Sequence, residues 1–69
     1  MSQEHKLKTP AEARAEFRRV GKSMKAWARE NGVHHETVYR VLKGIQKGER
    51  GDAHKVCVLL GIKDGVIVD

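Results

Sequence analysis

Five side chains that can form hydrogen bonds with base edges lie between residues 34 and 40. They are His34, His35, Glu36, Thr37 and Arg40. Arginine can donate two hydrogen bonds to guanine O6 and N7, glutamate can accept one from cytosine N4, and threonine can contact a thymine methyl group. These residue types therefore indicate base contacts, although Arg40 could equally hold a phosphate and Glu36 could simply favour a helix amino terminus. His34 could serve only as a helix cap.

A second set of side chains could hold phosphates beside these bases. The first members lie at positions 22–25, where the free amides of a helix start can also approach an anion. The others lie between residues 39 and 50, in a helical stretch and in the glycine-containing loop after it. The alternative for this loop is that it is solvated and binds no ligand. The expected phosphate contacts are Lys22, Ser23, Lys25, Tyr39, Lys43, Gln46, Lys47 and Arg50.

Positive charge is concentrated in the segment that carries both sets. The 69-residue chain has a formal net charge of +5, from 14 Lys and Arg against 9 Asp and Glu. Residues 22–51 hold seven of the basic residues and three Glu, a net charge of +4. A basic surface on a small domain favours nucleic acid as a partner, whereas a net charge of this size is also ordinary for a soluble domain.

Catalytic and metal sites are not expected. A chain this short cannot enclose a deep cleft, and no nucleophile, base and orienting group occur at a recognisable spacing. His54 and Cys57 are three residues apart, but structural zinc usually takes four ligands in paired motifs. Cys57 is the single cysteine and lies between valines, so we expect a buried, reduced thiol. We therefore predict no enzyme activity, no metal and no cofactor.

Hydropathy predicts no membrane association. No apolar run approaches the roughly 18 residues that a spanning helix needs. The first six residues lack the apolar core of a secretion signal. Together with the reduced cysteine, these features predict a cytoplasmic protein.

Helix start and stop signals predict an all-α domain of four to five short helices. Thr9-Pro10 opens the first helix, because threonine can cap free amides and proline is tolerated at the first helical position. Gly21 ends this helix, Ser23 caps the second, and Asn31-Gly32 ends the second.

The second half of the chain continues the pattern. A third helix is predicted over residues 35–43 and is closed by Gly44, and a fourth is capped by Gly51 or Asp52 and ends at Gly61. Apolar residues at helical spacing predict the buried faces, which are Ala13, Phe17 and Val20, then Met24, Trp27 and Ala28, then Val38, Val41 and Leu42, then Ala53, Val56, Cys57 and Leu60.

These signals divide the chain into three parts. Residues 1–8 are polar apart from two positions and are expected to form a flexible amino-terminal arm. Residues 9–65 form the predicted helical domain. Residues 66–69 form a tail whose apolar part either packs on the helices or pairs with a second copy.

The second and third helices have the spacing of a helix-turn-helix. A steep crossing requires a small residue at the contact, which Ala28 supplies, and a turn residue that accepts a positive φ, which Gly32 supplies. Val33 then fills the corner, and Val38 and Val41 pack beneath. The pattern therefore specifies a geometry as well as a composition.

This spacing resembles the helix-turn-helix of the lambda-repressor/Cro class. In that class an alanine, a glycine four residues later and apolar residues one, six and nine positions after the glycine recur. A further glycine follows the recognition helix, a place that Gly44 takes here. Asn31 departs from the usual apolar residue, and we expect its side chain to cap carbonyl groups at the end of the second helix.

The resemblance extends over about residues 7–65 to small phage-associated DNA-binding proteins of Mu-like prophages (the BcepMu type), which are similar in size and layout to Ner-like regulators. The segments that carry it are Lys8-Thr9-Pro10-Ala11-Glu12-Ala13-Arg14, Ala26-Trp27-Ala28-Arg29-Glu30-Asn31-Gly32, Tyr39-x-Val41-Leu42-x-Gly44, Lys47-Gly48-x-Arg50-Gly51-x-x-His54 and Leu60-Gly61-Ile62-Lys63-Asp64-Gly65. The resemblance implies a phage or prophage origin, a bacterial cytoplasmic location and a DNA-binding role.

We therefore expect a sequence-specific, double-stranded DNA-binding transcriptional regulator that inserts helix 35–43 in the major groove. A single motif of this kind contacts few base pairs, so a homodimer on DNA is expected, with Val66-Ile67-Val68 and Leu59 as the spare apolar surface. Two alternatives share the basic face. One is an architectural, excisionase-like DNA binder, and the other is a protein-interaction adaptor for an acidic partner.

Overall fold

A computed structural model describes residues 7–67, which form four α-helices and no β-strand. The helices are α1 (Pro10–Val20), α2 (Met24–Asn31), α3 (His35–Leu42) and α4 (Gly51–Leu60). The predicted all-α class is confirmed. The third helix is one residue shorter than predicted, because Lys43 is its C-cap.

The core is built around α3, which contacts each of the other three helices. The largest fully buried side chains are Val38, Val41 and Leu42 of α3 and Val56 of α4. Each such side chain contributes about 1.5–3 kcal/mol when it leaves water. Their burial fixes which face of α3 points outward.

Phe17 and Trp27 join α1 to α2 at the edge of the core. Their ring centroids are 5.9 Å apart and the rings meet edge to face at 80°. Val20, in contrast, was predicted to share the buried stripe of α1 and does not, since 65% of it is exposed. It is the last residue of α1, where the chain turns away at Gly21.

Two helices begin with the predicted side-chain caps. The hydroxyl of Thr9 accepts the N–H of Glu12 at 3.1 Å, and the Glu12 carboxylate accepts the N–H of Thr9 at 2.8 Å. The hydroxyl of Ser23 accepts the N–H of Ala26 at 3.0 Å. Such caps contribute about 1 kcal/mol each and set where α1 and α2 begin.

The predicted cap of the fourth helix is wrong. Arg50 is the N-cap residue of α4 and supplies no side-chain hydrogen bond, while Gly51 and Asp52 lie inside the helix. The Asp52 carboxylate instead accepts the backbone N–H of His34 at 3.4 Å. This contact places the start of α4 beside the start of α3.

The joint between α2 and α3 has the predicted geometry. Ala28 is 1% exposed, and Gly32 has a φ of +68°. The N–H of Val33 donates to the Ala28 carbonyl at 3.0 Å. The side-chain amide of Asn31 donates to the Trp27 carbonyl at 2.9 Å, one turn back in α2, and not to one of the last four carbonyls that capping would satisfy.

The two ends of the described chain contact α4 and the turn after it. The backbone N–H of Lys8 donates to the Gly61 carbonyl at 2.9 Å, and its ammonium pairs with Glu16 at 2.8 Å. Lys8 therefore belongs to the folded domain and not to the predicted arm. Residues 1–6 of that arm lie outside the described residues.

The described part of the tail is held by a histidine of α4. Nε2 of His54 lies 2.8 Å from the Val66 carbonyl oxygen, and the Val66 side chain is exposed. Up to Ile67 the tail therefore lies against α4 through this backbone contact, and its pairing with a second copy stays a prediction. Val68 and Asp69 lie outside the described residues.

Candidate nucleic-acid interface

One face of α3 is exposed along its whole length. The residues on it are His35, Glu36, Tyr39, Arg40 and the C-cap Lys43. They are spaced at i, i+1, i+4, i+5 and i+8, which places them on one side of a helix. This surface, called here the α3 face, lies opposite the buried valines and leucine of the same helix.

Contacts at the carboxyl end of α3 hold this face in position. The guanidinium of Arg14 on α1 donates to the Leu42 carbonyl at 2.9 Å, which satisfies an acceptor that the helix end leaves free. The ammonium of Lys43 lies 5.3 Å from the centroid of the Tyr39 ring, within the range of a cation–π interaction. The α3 face is thus presented by a helix tied to α1.

The five residues predicted to contact bases occupy different environments. Glu36 and Arg40 are exposed on the α3 face, and Thr37 is half-buried. His34 is the N-cap residue of α3 through its backbone, but its side chain makes no capping hydrogen bond. His34 and His35 both line a hollow between α2 and α3 that is described below.

The predicted phosphate contacts at the start of α2 are partly engaged within the protein. The Ser23 hydroxyl accepts the backbone N–H of Ala26, so the hydroxyl proton of Ser23 is still free to donate. The ammonium of Lys22 forms an ion pair with Glu30, whereas Lys25 is exposed and has no ion pair among residues 7–67. Lys25 is therefore the free cation of this group.

The loop after α3 brings two of its predicted contacts to the surface. Lys47 and Arg50 are exposed, and Gln46 is half-buried in a hollow shared with Val41 and Cys57. Gln46 is thus less accessible than the two cations. The loop leaves α3 with the N–H groups of residues 45 and 46 directed to the Arg40 carbonyl.

Gly48 fixes the position of this loop, a role that the sequence reasoning missed. A Cβ atom at this position would lie 2.3 Å from Sγ of Cys57 and 2.7 Å from the Ala53 carbonyl oxygen. The ammonium of Lys63 donates to the Gly48 carbonyl at 2.6 Å. The backbone therefore lies directly on α4, in a contact that only glycine permits.

Arg29 is a second residue missed by the sequence reasoning. It lines a hollow between α2 and the start of α3, called here the α2–α3 hollow, with Lys25, Ala28, Val33, His34 and His35. Arg29 is exposed and has no ion pair within the described part of the chain. The signal that could have identified it is the spacing of four residues from Lys25, which places both cations on one side of a helix.

His54 and Cys57 do not form part of a metal cluster in the structure. Among residues 7–67 no group of three or more His, Cys, Asp or Glu side chains is arranged to hold a metal ion. Cys57 is buried, and this burial raises the pKa of its thiol, against a smaller lowering by the Lys63 charge and by a hydrogen bond with the Gly48 backbone. The thiol is neutral and contacts the loop.

Comparisons with known proteins assign no family to the chain. No protein-family model matches it, and searches of curated proteins and of solved structures found no match. Within the described range, none of the helices combines the length and apolar character that crossing a bilayer requires.

Proposed function

We propose that this protein is a sequence-specific, double-stranded DNA-binding regulator of transcription that inserts α3 in the major groove. The observation that carries the proposal is the α3 face, a continuous exposed stripe of hydrogen-bonding side chains on a helix whose opposite side is buried. A helix with its side chains is about 10–12 Å wide, and the major groove is about 12 Å wide. The face can therefore reach base edges.

The surroundings of α3 support a polyanionic partner. Lys25 and Arg29 lie beside its start, and Lys43, Lys47 and Arg50 lie at its end or in the following loop. None of these five forms an ion pair among residues 7–67. Cations without an acidic partner on both sides of a helix suit the two phosphate strands that border a groove.

Within this proposal, Glu36 and Arg40 are the central base contacts. Both lie on the α3 face, and neither makes a side-chain hydrogen bond within the described residues. Arg40 would donate two bonds to a guanine, and Glu36 would accept from a cytosine. Thr37 is half-buried and contributes less surface.

The proposal includes a homodimer on DNA and a phage or prophage origin. One recognition helix contacts few base pairs, so two copies would be needed for a specific site. The spare apolar surface is larger than Leu59 and the tail alone, because Val20 and Ile45 are also exposed. The origin rests on the family resemblance alone.

Replacement of Arg40 by alanine tests the assignment of the α3 face. If Arg40 reads a base, Arg40→Ala should weaken binding to the preferred duplex by about 1–3 kcal/mol and relax discrimination at one base pair. Fluorescence anisotropy on a set of single-substitution duplexes measures both effects. Uniform weakening on every duplex would assign Arg40 to a phosphate instead.

A protein-interaction adaptor is the second candidate, and one surface favours it. Val20 and Leu60 border a shallow apolar hollow with Phe17 and Trp27, on the side of the molecule formed by α1, α2 and α4. Such a hollow could receive an apolar side chain of an acidic partner. Co-purification of an acidic protein that is lost on Val20→Ser, with no binding to duplex DNA, would favour this function.

A further inference from the structure

The α2–α3 hollow holds two like charges on one turn of a helix. Lys25 and Arg29 lie at i and i+4 on α2, a spacing at which like charges destabilise a helix. Lys25 also lies in the first turn, where the helix dipole disfavours a cation. Arg29 lies in the last turn, where the helix dipole favours a cation, but neither residue has an ion pair within residues 7–67, so no acidic side chain there offsets their mutual repulsion.

The other residues that line the hollow supply hydrogen-bond donors and include no acidic side chain. His34 and His35 line it, Ala28 and Val33 complete it, and no carboxylate belongs to the lining. The N-cap residue of α3, His34, makes no side-chain capping hydrogen bond, whereas Thr9 and Ser23 cap α1 and α2. The N–H of His34 donates to the Asp52 carboxylate and the N–H of Thr37 donates to the His34 carbonyl, so the amides of His35 and Glu36 are the two that stay open to an anionic oxygen.

We propose that the α2–α3 hollow binds one phosphate of the DNA backbone. Arg29 and Lys25 supply the charge, and the His34 side chain and the first amides of α3 supply further donors. The inference rests on the proposed function and deepens it, since it places a backbone phosphate at the amino-terminal end of α3. It also means that His34 and His35 contact the DNA phosphate backbone and not the bases.

Nearby carboxylates limit the affinity of the hollow for a free anion. Asp52 of α4 accepts from the His34 backbone, and Glu36 follows on α3. Neither carboxylate lines the hollow, but Asp52 lies at the start of α3, so both weaken the binding of an anion there. A phosphate that the rest of the DNA holds in place overcomes this opposition more readily than inorganic phosphate does.

Salt-dependent binding of duplex DNA tests the proposal with matched variants. Arg29→Gln and Lys25→Gln should each lower affinity about five- to tenfold at low salt, as expected for the net loss of one hydrogen bond to a solvent-exposed phosphate. Each should also reduce the slope of log K against log salt by about 0.9. Lys25→Gln removes an unfavourable charge from the first turn of α2, so its effect cannot come from a weakened helix.

Arg19→Gln is the control for net charge. Arg19 is exposed on α1 and lines the apolar hollow on another side of the molecule. It should leave the salt slope unchanged. The proposed phosphate site would be overturned if Arg19→Gln and Arg29→Gln lost DNA affinity equally. It would also be overturned if Arg29→Gln left the salt slope unchanged while the wild type binds DNA.

Inorganic phosphate provides a readout that does not depend on DNA. In two-dimensional amide NMR at constant ionic strength, phosphate up to about 50 mM should shift the amides of His35 and Glu36 in the wild type and not in Arg29→Gln. Shifts elsewhere, or equal shifts in both proteins, would overturn the anion site. If the wild type failed to bind any duplex, the proposed function would fail, and the phosphate titration alone would decide whether the hollow binds anions.

Discussion

Gly48 shows how a single residue without a side chain positions part of the interface. Its backbone rests on Sγ of Cys57 and on the carbonyl of Ala53, and Lys63 holds its carbonyl from the other side. Lys47 and Arg50 are carried by the same loop. The placement of two expected phosphate contacts thus depends on a residue that cannot touch DNA through a side chain.

Replacement of Gly48 by alanine should therefore destabilise the fold and weaken DNA binding together. A Cβ at 2.3 Å from Cys57 must displace the loop or α4, at a cost of about 1–3 kcal/mol. Urea denaturation measures the stability. Adding Cys57→Ala to Gly48→Ala should recover part of the loss through relief of the sulfur contact, and wild-type stability of Gly48→Ala would contradict this packing.

Cys57 should react slowly with alkylating agents in the folded protein. Burial raises the pKa of its thiol, so little thiolate is present near pH 8, and the loop covers the sulfur. Iodoacetamide labelling with and without urea measures the difference, and equal rates would contradict the buried position.

Since the folded pKa of the Cys57 thiol is raised, the neutral thiol favours folding below the ordinary thiol pKa, and this contribution to stability is lost as pH rises through the raised pKa.

At the scale of elements, the joint between α2 and α3 follows from few residues. Ala28 permits the close approach, Gly32 turns the chain, and the Asn31 side chain donates to the Trp27 carbonyl one turn back in α2. The roles of Ala28 and Gly32 depend on contacts within four residues, which is why sequence spacing alone was sufficient to predict them. The caps of α1 and α2 are local in the same sense.

Two of the missed features depend on contacts between separate parts of the chain. Gly48 contacts Cys57 and Lys63, and the backbone N–H of Lys8 donates to the Gly61 carbonyl. Arg29, in contrast, is four residues from Lys25, a local spacing that could have identified it. Val20 has the spacing of a core residue and is exposed because the chain turns away directly after it. Helical periodicity indicates a face but does not show where that face ends.

Gly32 gives a direct test of the joint. A Cβ at this position meets no atom within 4 Å, so the cost of a substitution comes only from its φ of +68°. Gly32→Ala should lower the free energy of unfolding by about 1–2 kcal/mol, and Gly32→Asn by less, because asparagine tolerates the left-handed region better. Equal stability of both variants and the wild type in urea denaturation would contradict the left-handed turn.

At the scale of the whole molecule, the protein is a small basic domain whose candidate interface is the exposed face of one helix, α3. The net charge of +4 over residues 22–51 coincides with α2, α3 and the loop after them, which form the surroundings of the α3 face. The apolar hollow between α1, α2 and α4 includes no residue of α3, so the two surfaces are separate in the described part of the molecule. Under the proposed function, a domain of this size would contact one half-site.

Selection of bound sequences from a pool of random duplex DNA tests the central claim most directly. We expect enrichment of one short motif, with a two-fold related second half-site if the protein binds as a dimer. The same selection with Arg40→Ala should lose information at one position of each half-site. Recovery of no motif by the wild-type protein, at a salt concentration where it still binds duplex DNA, would contradict sequence-specific recognition by α3.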